Sequence, residues 1–268
     1  MTKVLSVEAF PSASLPGRLD VAWRAGSDDV PAEDMLFMVQ WSERDSGPWN
    51  DAFDAPLEGA VSASGVGPGR RSSWPSLFVR VSALDPSGSV LASSAPASPG
   101  PAMDRKAFLE YRDSLRREGL ALSKLAGTRT MVHQRPALSC PCPECSDPIL
   151  GGNMDSHCPR CAGTGIDGGY FPPVEILADW SGEPEGSGTR TQGQAGPEES
   201  EARSVRMLPF PSVSSRDVLT IPGTSSVWEV EECRTVDWRV WPVARRARIR
   251  MLAKGDPANS VLERGVPA

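Results

Sequence analysis

The stretch that decides the fold of the middle of the chain is Cys142-Pro-Glu-Cys145 followed by Cys158-Pro-Arg-Cys161-Ala-Gly-Thr-Gly165. Each CPxC turn directs two thiolates to the same side, and two facing turns supply the four sulfur ligands of a tetrahedral Zn²⁺. The intervening loop is rich in Gly, Asn, Asp and Pro, so the chain can turn back on itself. The ligand shell would be closed, which favours a structural role over catalysis. The sequence therefore predicts a structural zinc site formed by Cys142, Cys145, Cys158 and Cys161.

Other chemistry remains open for the cysteine-rich segment. The same pairs would form disulfides if the protein matured in an oxidising compartment. Cys140 is a third candidate on the first side, although Cys142 and Cys145 have the knuckle spacing and leave Cys140 as the spare. His157 precedes Cys158 and can replace a ligand, while a solvated loop histidine is the simpler interpretation. Cys233 stands alone in an apparent strand and is predicted to be a small buried hydrophobe.

Composition limits the classes of function. The chain has 268 residues, enough for two or three compact units, and its 26 Pro and 25 Gly favour short strands and turns over a large helical body. The net charge of -6 disfavours a role in nucleic-acid binding driven by overall charge. The basic run Arg245, Arg246, Arg248 and Arg250 alternates with apolar residues, which predicts the solvated face of a half-buried strand.

The sequence contains no apolar run long enough to span a membrane and no Sec-type signal at Met1-Thr2-Lys3-Val4. We therefore expect synthesis in a cytoplasm, where paired cysteines more often hold metal than form disulfides.

Residues 1–97 are predicted to form a β-sandwich, because short alternating segments are separated by Gly, Pro, Ser and Asp. The clearest strands cover residues 4–10, 18–24, 35–41, 77–84 and 90–94. A Pro-rich joint at 94–101 predicts that few contacts cross to the rest of the chain.

Residues 98–135 are predicted to be a linker and a helix. Asp104 is the N-cap and Gly127 ends the helix. One apolar face is predicted, formed by Phe108, Tyr111, Leu115, Leu122 and Leu125.

The rest of the chain divides into three parts. Residues 136–169 are the zinc-knuckle segment, and residues 170–256 alternate in a way that predicts a small closed or half-closed antiparallel β-barrel. Within that barrel, 181–204 is nearly devoid of apolar groups and is predicted to be a disordered loop. Residues 257–268 form a tail, which either frays or docks on a neighbour.

Three segments of the N-terminal region resemble a fibronectin type III domain. Leu19-Asp20-Val21-Ala22-Trp23 is similar to the second strand of that family with its core tryptophan. Phe37-Met38-Val39-Gln40-Trp41 is similar to the third strand, and Leu77-Phe78-Val79-Arg80-Val81-Ser82-Ala83 to the sixth. Asp85-Pro86-Ser87-Gly88 would form the last hairpin turn. The resemblance implies that Trp23 belongs to the core.

The cysteine segment carries two further resemblances. Cys158-Pro-Arg-Cys161-Ala-Gly-Thr-Gly165 resembles one CxxCxGxG unit of the DnaJ cysteine-rich domain. The wider arrangement of two CPxC pairs, Gly168-Gly169-Tyr170 and then Pro172-Pro173-Val174 is similar to virion proteins around the neck or tail of tailed bacteriophages.

The C-terminal pattern resembles the β-barrels of phage head-to-tail connector and neck proteins. It consists of Arg216-Asp217-Val218-Leu219, Pro222-Gly223, Val227-Trp228-Glu229-Val230 and Pro242-Val243. The phage resemblance covers roughly residues 103–256.

These resemblances imply a structural virion protein, assembled in the host cytoplasm as an oligomeric ring at the neck, collar or head-to-tail connector. Its partners would be its own copies and other phage neck, portal or tail proteins, with no membrane, specific nucleic acid or catalysis. The alternative is a zinc-dependent co-chaperone or redox-type protein-binding module, whose cysteines meet client polypeptide or cycle as thiols.

Overall fold

The computed structural model describes residues 2–12, 15, 17–69, 77–99, 104–137, 141–145, 158, 160–182 and 202–260. The protein is mainly β, as predicted. The N-terminal unit consists of the following strands: β1 (Thr2–Pro11), β2 (Leu19–Ser27), β3 (Leu36–Ser42), β4 (Asn50–Asp51), β5 (Leu57–Glu58), β6 (Ser62–Val66), β7 (Phe78–Leu84) and β8 (Val90–Ser93). A short 3-10 turn, Ala32–Asp34, precedes β3.

The strands of the N-terminal unit form two antiparallel sheets, with the orders β1-β2-β6 and β4-β3-β7-β8, and β5 also pairs with β3. Alternate side chains of β2, β3 and β7 meet between the sheets in one apolar core. Trp23 is buried there, with its ring centroid 5.5 Å from that of Phe37, so the prediction that Trp23 belongs to the core is confirmed. The β7–β8 turn is stabilised by the Asp85 carboxylate, which accepts N–H groups of Ser87 and Ser89.

The rest of the described chain consists of one long helix, a barrel and short connections. The elements are α1 (Arg105–Ala121), a π-helical turn (Leu122–Ala126), β9 (Gly127–His133), β10 (Val174–Gly182), β11 (Ala202–Met207), β12 (Val218–Thr220), β13 (Val227–Trp238), β14 (Trp241–Met251) and a 3-10 turn (Pro257–Ser260). Among the described residues, no helix is long and apolar enough to cross a membrane.

Helix α1 begins as predicted, because the Asp104 carboxylate accepts the Ala107 N–H at 2.7 Å. Phe108, Tyr111 and Leu115 are buried against the β13–β14 hairpin. The prediction that Leu125 continues this face is wrong, since its side chain is 87% exposed. The π-helical turn after Ala121 changes the number of residues per turn, and this rotates Leu125 away from the core.

Six antiparallel strands close the barrel in the order β10-β11-β14-β13-β12-β9, with β9 pairing back to β10, so the predicted barrel is confirmed. Its interior is apolar and includes Val132, Val205, Leu219, Val230 and Ile249. The predicted loop 181–204 is shorter than expected, because β10 continues to Gly182 and β11 starts at Ala202. Its remaining residues, 183–201, lie outside the described part of the chain.

The barrel begins earlier than predicted. Strand β9 lies in the region predicted to be linker and helix, yet it pairs with β10 from Asp179↔Gly127 to Val174↔Val132. Its partners lie more than forty residues away in sequence, so this pairing has no local signal. The cysteine segment is therefore an insertion between two paired barrel strands. We call residues 134–173 the cysteine insertion.

The N-terminal unit contacts the rest of the chain through individual side chains. Phe171 of the cysteine insertion is buried in the core of the N-terminal unit. Ion pairs add to this contact, with Arg24 2.6 Å from Asp217 and Glu8 2.7 Å from Arg245. A side chain from a distant segment completes the core, and the Pro-rich composition of the joint gives no sign of this.

Candidate metal centre

The four predicted cysteine ligands come together in one buried cluster. The sulfur atoms of Cys142, Cys145, Cys158 and Cys161 all lie within 4.8 Å of one another. Cys142 Sγ is 3.8 Å from Cys158 Sγ, and Cys145 Sγ is 3.5 Å from Cys161 Sγ. A tetrahedral ion with metal–sulfur bonds of about 2.3 Å separates its ligands by about 3.8 Å. The cluster therefore has dimensions that can hold a metal ion.

All four cysteines are free thiols, so the structure does not contain the disulfides of the alternative interpretation at these four positions. A disulfide holds its sulfurs at about 2.05 Å, far shorter than the separations in the cluster. The two sulfur pairs at 3.5 and 3.8 Å join opposite CPxC turns. The ligands thus face each other across the site as the spacing predicted.

The turn after Cys161 shapes the second knuckle. The Gly165 N–H donates to Cys161 Sγ at 3.3 Å, and the Thr164 hydroxyl donates to the Cys161 carbonyl at 2.6 Å. Gly165 needs its φ of 73°, a left-handed conformation in which glycine is favoured. An N–H donor on the sulfur stabilises a thiolate. The second glycine of the CxxCxGxG pattern, Gly165, therefore donates a hydrogen bond directly to the Cys161 sulfur.

Backbone contacts join the two knuckles. The Cys142 N–H donates to the Gly165 carbonyl at 3.0 Å, and Pro141 forms a β-bridge with Ile166. The first pair of ligands therefore lies beside the strand-like segment that follows the second pair. This contact brings residues sixteen or more positions apart into one site.

One ion-pair network surrounds the cluster. Arg160, inside the second CPxC turn, donates to both carboxylate oxygens of Asp167 at 2.6 and 3.0 Å. It also lies 3.7 Å from Glu144 of the first turn. The hydrogen bonds to Asp167 raise the pKa of Arg160, which stays charged. Arg160 thus makes a weak, exposed contact with the first turn and places positive charge near four potential thiolates.

No family model, curated protein or solved structure matches this chain. The chemistry of the centre therefore follows from its own geometry.

Burial and hydrogen bonds both shift the pKa values of thiols in the cluster. Burial raises the pKa of Cys145 and that of Cys161. Burial also acts to raise the pKa of Cys158, but backbone N–H groups of Cys161 and Arg160 outweigh it and the pKa is lowered. Binding of a divalent metal would displace the remaining thiol protons, so metal affinity should fall as the pH is lowered.

The other predicted candidates lie apart from the cluster or outside the described residues. Cys140 and His157 belong to the latter group. Cys233 lies on β13, half-buried against the barrel core, and burial raises its pKa. His133, which was not among the predicted candidates, is buried in the barrel, where Nε2 lies 3.2 Å from the Thr220 hydroxyl. Burial lowers the pKa of His133 to about 4, so the imidazole is neutral near pH 7.

The basic run is only partly as predicted. Arg248 and Arg250 lie on the outer face of β14 and pair with Glu231 and Glu229. Arg245 is different, because it is buried and donates to the carbonyls of Pro209 and Val213. The prediction of a solvated side chain is wrong for Arg245, since it follows the inward alternation of Ala247 and Ile249.

Sequence reasoning missed a buried carboxylate beside the root of the cysteine insertion. Asp217 accepts N–H groups from Arg135 at 2.9 Å and Ser214 at 2.8 Å, as well as the Arg24 guanidinium. Burial raises the pKa of Asp217, and Arg24 opposes that shift. The local signal was an aspartate immediately before the strand that begins with Val218 and Leu219.

Proposed function

We propose that this chain is a structural virion protein of a tailed bacteriophage, in which it forms part of the neck, collar or head-to-tail connector as an oligomeric ring. The observation that carries the proposal is a four-cysteine knuckle inserted between two strands of a small closed antiparallel barrel. This is the combination to which the resemblance of residues 103–256 points. A metal staple would order the cysteine insertion, and ring neighbours would cover and further stabilise the small barrel that carries it.

The metal is proposed to be one structural Zn²⁺ per chain, bound by Cys142, Cys145, Cys158 and Cys161. Four thiolates in a tetrahedral arrangement suit zinc, and iron–sulfur chemistry is the competing possibility. Elemental analysis of the purified protein should find one zinc per chain and an absorption spectrum without iron–sulfur bands. A chain that retains iron, or no metal, would contradict this part of the proposal.

The N-terminal unit is proposed to be fibronectin type III-like and to lie on the outside of the assembly. Support comes from its two antiparallel sheets, β1-β2-β6 and β4-β3-β7-β8, and from the core position of Trp23 in the second strand. An epitope inserted after Gly88 tests the location, because a side chain there would meet open space. We expect antibody to label intact particles. Labelling only after particles are disrupted would contradict an outer location.

The proposal assigns no catalytic step to this chain. A closed set of four thiolates leaves no coordination position for a substrate or an activated water. His133 is buried, neutral near pH 7 and engaged with Thr220, an environment that suits packing better than proton transfer.

The whole proposal is tested by locating the protein and measuring its quaternary state. Mass spectrometry of purified virions should find the chain at a constant copy number per particle, and native mass spectrometry should find a closed oligomer. If virions lack the protein, and it is a soluble monomer whose cysteines bind unfolded polypeptide or cycle as thiols, the co-chaperone or redox alternative replaces it.

A further inference from the structure

The cysteine insertion contacts the N-terminal unit at both of its roots. It leaves the barrel after His133 and returns at Val174, and these two residues belong to paired strands. Between the roots lie the four cysteines. The insertion is therefore joined to the barrel at its base, contacts the N-terminal unit through both arms and carries the cysteine cluster between them.

The outgoing arm connects the barrel to β2. Gln134 donates through its side chain to the Ser212 carbonyl, and the Arg135 N–H donates to the Asp217 carboxylate. Two residues further on, the Ala137 N–H donates to the Ala25 carbonyl of β2 at 3.0 Å. This arm therefore anchors the insertion to both units within four residues.

The returning arm provides the apolar anchor. The Phe171 side chain is 2% exposed, and its ring centroid lies 6.5 Å from that of Phe37 in the core of the N-terminal unit. Pro172 packs so closely on the same unit that a Cβ atom at Gly59 would lie 2.9 Å from its Cγ. The Phe171 N–H donates to the Gln134 carbonyl at 2.9 Å, which ties the two arms together.

The position of this anchor depends on the second knuckle. Gly169 packs against a ligand residue, since a Cβ atom there would lie 2.8 Å from the Cys161 carbonyl oxygen. Arg135 of the outgoing arm donates to the Thr164 carbonyl at 3.2 Å. The knuckle backbone thus touches both arms within a few residues of their contacts with the N-terminal unit.

We propose that metal binding by the four cysteines controls the docking of the N-terminal unit on the barrel. With metal bound, the knuckle fixes Gly169 and Arg135, and Phe171 is held in the core between the two sheets. Without metal, the knuckle loses the bonds that order it, and the arms lose the support that positions Phe171. Because coupling between two binding events is reciprocal, a docked Phe171 must in turn strengthen metal binding.

Hydrogen exchange of the full-length protein tests the first half of the proposal. The metal-loaded protein is compared with protein stripped by a chelator under reducing conditions, and with stripped protein to which Zn²⁺ is returned. We expect exchange of the Ala137 and Phe171 amides, and of peptides from β2 and β3, to rise at least about tenfold on stripping and to recover with Zn²⁺. Peptides from β11 and β14 should change much less. An increase confined to 141–145 and 160–169 would overturn the proposal.

Metal affinity tests the reciprocal half. Phe171→Ala should weaken Zn²⁺ binding about tenfold or more in competition with a chromogenic chelator, although it leaves all four ligands in place. Phe108→Ala is the matched control, because that phenylalanine of α1 is also 2% exposed but packs against the β13–β14 hairpin in a separate cluster. Phe171→Leu should recover most of the affinity. Equal Zn²⁺ affinities for Phe171→Ala and Phe108→Ala would overturn the proposal. The hydrogen-exchange and affinity results both rest on the proposed zinc site and do not depend on the virion assignment.

Discussion

Apolar side chains fill the barrel, whereas the cysteine insertion that leaves it between β9 and β10 has four cysteine side chains at its centre. The barrel closes on itself through strand pairing all the way round, so its stability comes from burial and a complete hydrogen-bond ladder. The insertion is held by backbone turns, by its contacts with the N-terminal unit and by whatever the cysteines bind. The two regions should therefore respond differently to loss of the metal and to loss of apolar packing.

The largest expected difference follows from removing a ligand. Cys158→Ser should abolish stoichiometric metal binding, because structural sites bind Zn²⁺ through a complete set of four ligands. The binding free energy of such sites is about 10–16 kcal/mol near pH 7, and the loss of one thiolate removes much of it. The insertion should then lose its ordered structure while the barrel stays folded. Elemental analysis reports the metal, and hydrogen exchange of β11 and β14 reports the barrel.

Cys233→Ser is the control for that experiment, since Cys233 is half-buried on β13 and lies outside the cluster. It should bind as much metal as the unmodified protein. If Cys158→Ser keeps its full metal content, or if the barrel unfolds with the insertion, the two regions are not stabilised independently.

A cavity in the barrel should have the opposite effect: it should destabilise the barrel and leave metal binding unchanged. Leu219 is fully buried, so Leu219→Ala should lower the free energy of unfolding of the barrel by about 2–5 kcal/mol. Metal stoichiometry at neutral pH should not change. Leu125→Ala removes the same atoms from an exposed side chain and should shift stability by no more than about 0.5 kcal/mol in urea unfolding. Equal effects at Leu219 and Leu125 would contradict the assigned barrel core.

Local patterns predicted the cysteine cluster and most of the strands. The CPxC spacing sets the geometry of each turn within four residues, so Cys142, Cys145, Cys158 and Cys161 were predictable as a group. Asp104 was predictable as a cap for the same reason, because a cap depends on its immediate neighbours.

The features that were missed depend on distant partners. Strand β9 is recognisable only when β10 and β12 lie beside it. No local pattern indicated that two sheets from the other end of the chain enclose Phe171. Arg245 followed the inward face of β14 because carbonyl groups of residues 209 and 213 were there to accept its N–H groups.

Acid should weaken the barrel through His133. Its pKa is about 4 in the folded protein because burial disfavours the charged form, compared with about 6.5 when the chain is unfolded. Between these two values the unfolded chain binds more protons, so the stability contributed by neutral His133 is complete above about pH 6.5 and is lost as the pH falls towards 4. The loss should reach up to about 3 kcal/mol.

His133→Gln provides the comparison for that measurement, because glutamine is uncharged at every pH. The difference in unfolding free energy between the two proteins should therefore change with pH between about 4 and 6.5. Acid also protonates cysteine ligands, so both proteins are measured with the metal removed. A difference that does not vary with pH would show that His133 is protonated equally in the folded and unfolded chains.

The smallest expected effect is the change in metal affinity on replacing Arg160, which lies beside the cysteine cluster and is not one of the proposed ligands. Four thiolates carry more negative charge than a divalent ion neutralises, and Arg160 lies between Asp167 and Glu144 beside them. Loss of a group in this position typically lowers metal affinity 10–100-fold. The Arg160 side chain is 45% exposed, so solvent screens its charge and Arg160→Ala should lower metal affinity only about tenfold, the lower end of that range.

Arg160→Lys keeps the charge but loses the two-pronged contact with Asp167, and its affinity should be intermediate. Arg129→Ala removes an exposed arginine of the barrel that pairs with Glu175, and it should leave metal affinity unchanged. Chelator competition at low and high salt measures all three variants. If Arg160→Ala binds metal as tightly as Arg129→Ala at both salt concentrations, the contacts of Arg160 with Asp167 and Glu144 are ordinary surface ion pairs that do not contribute to metal binding.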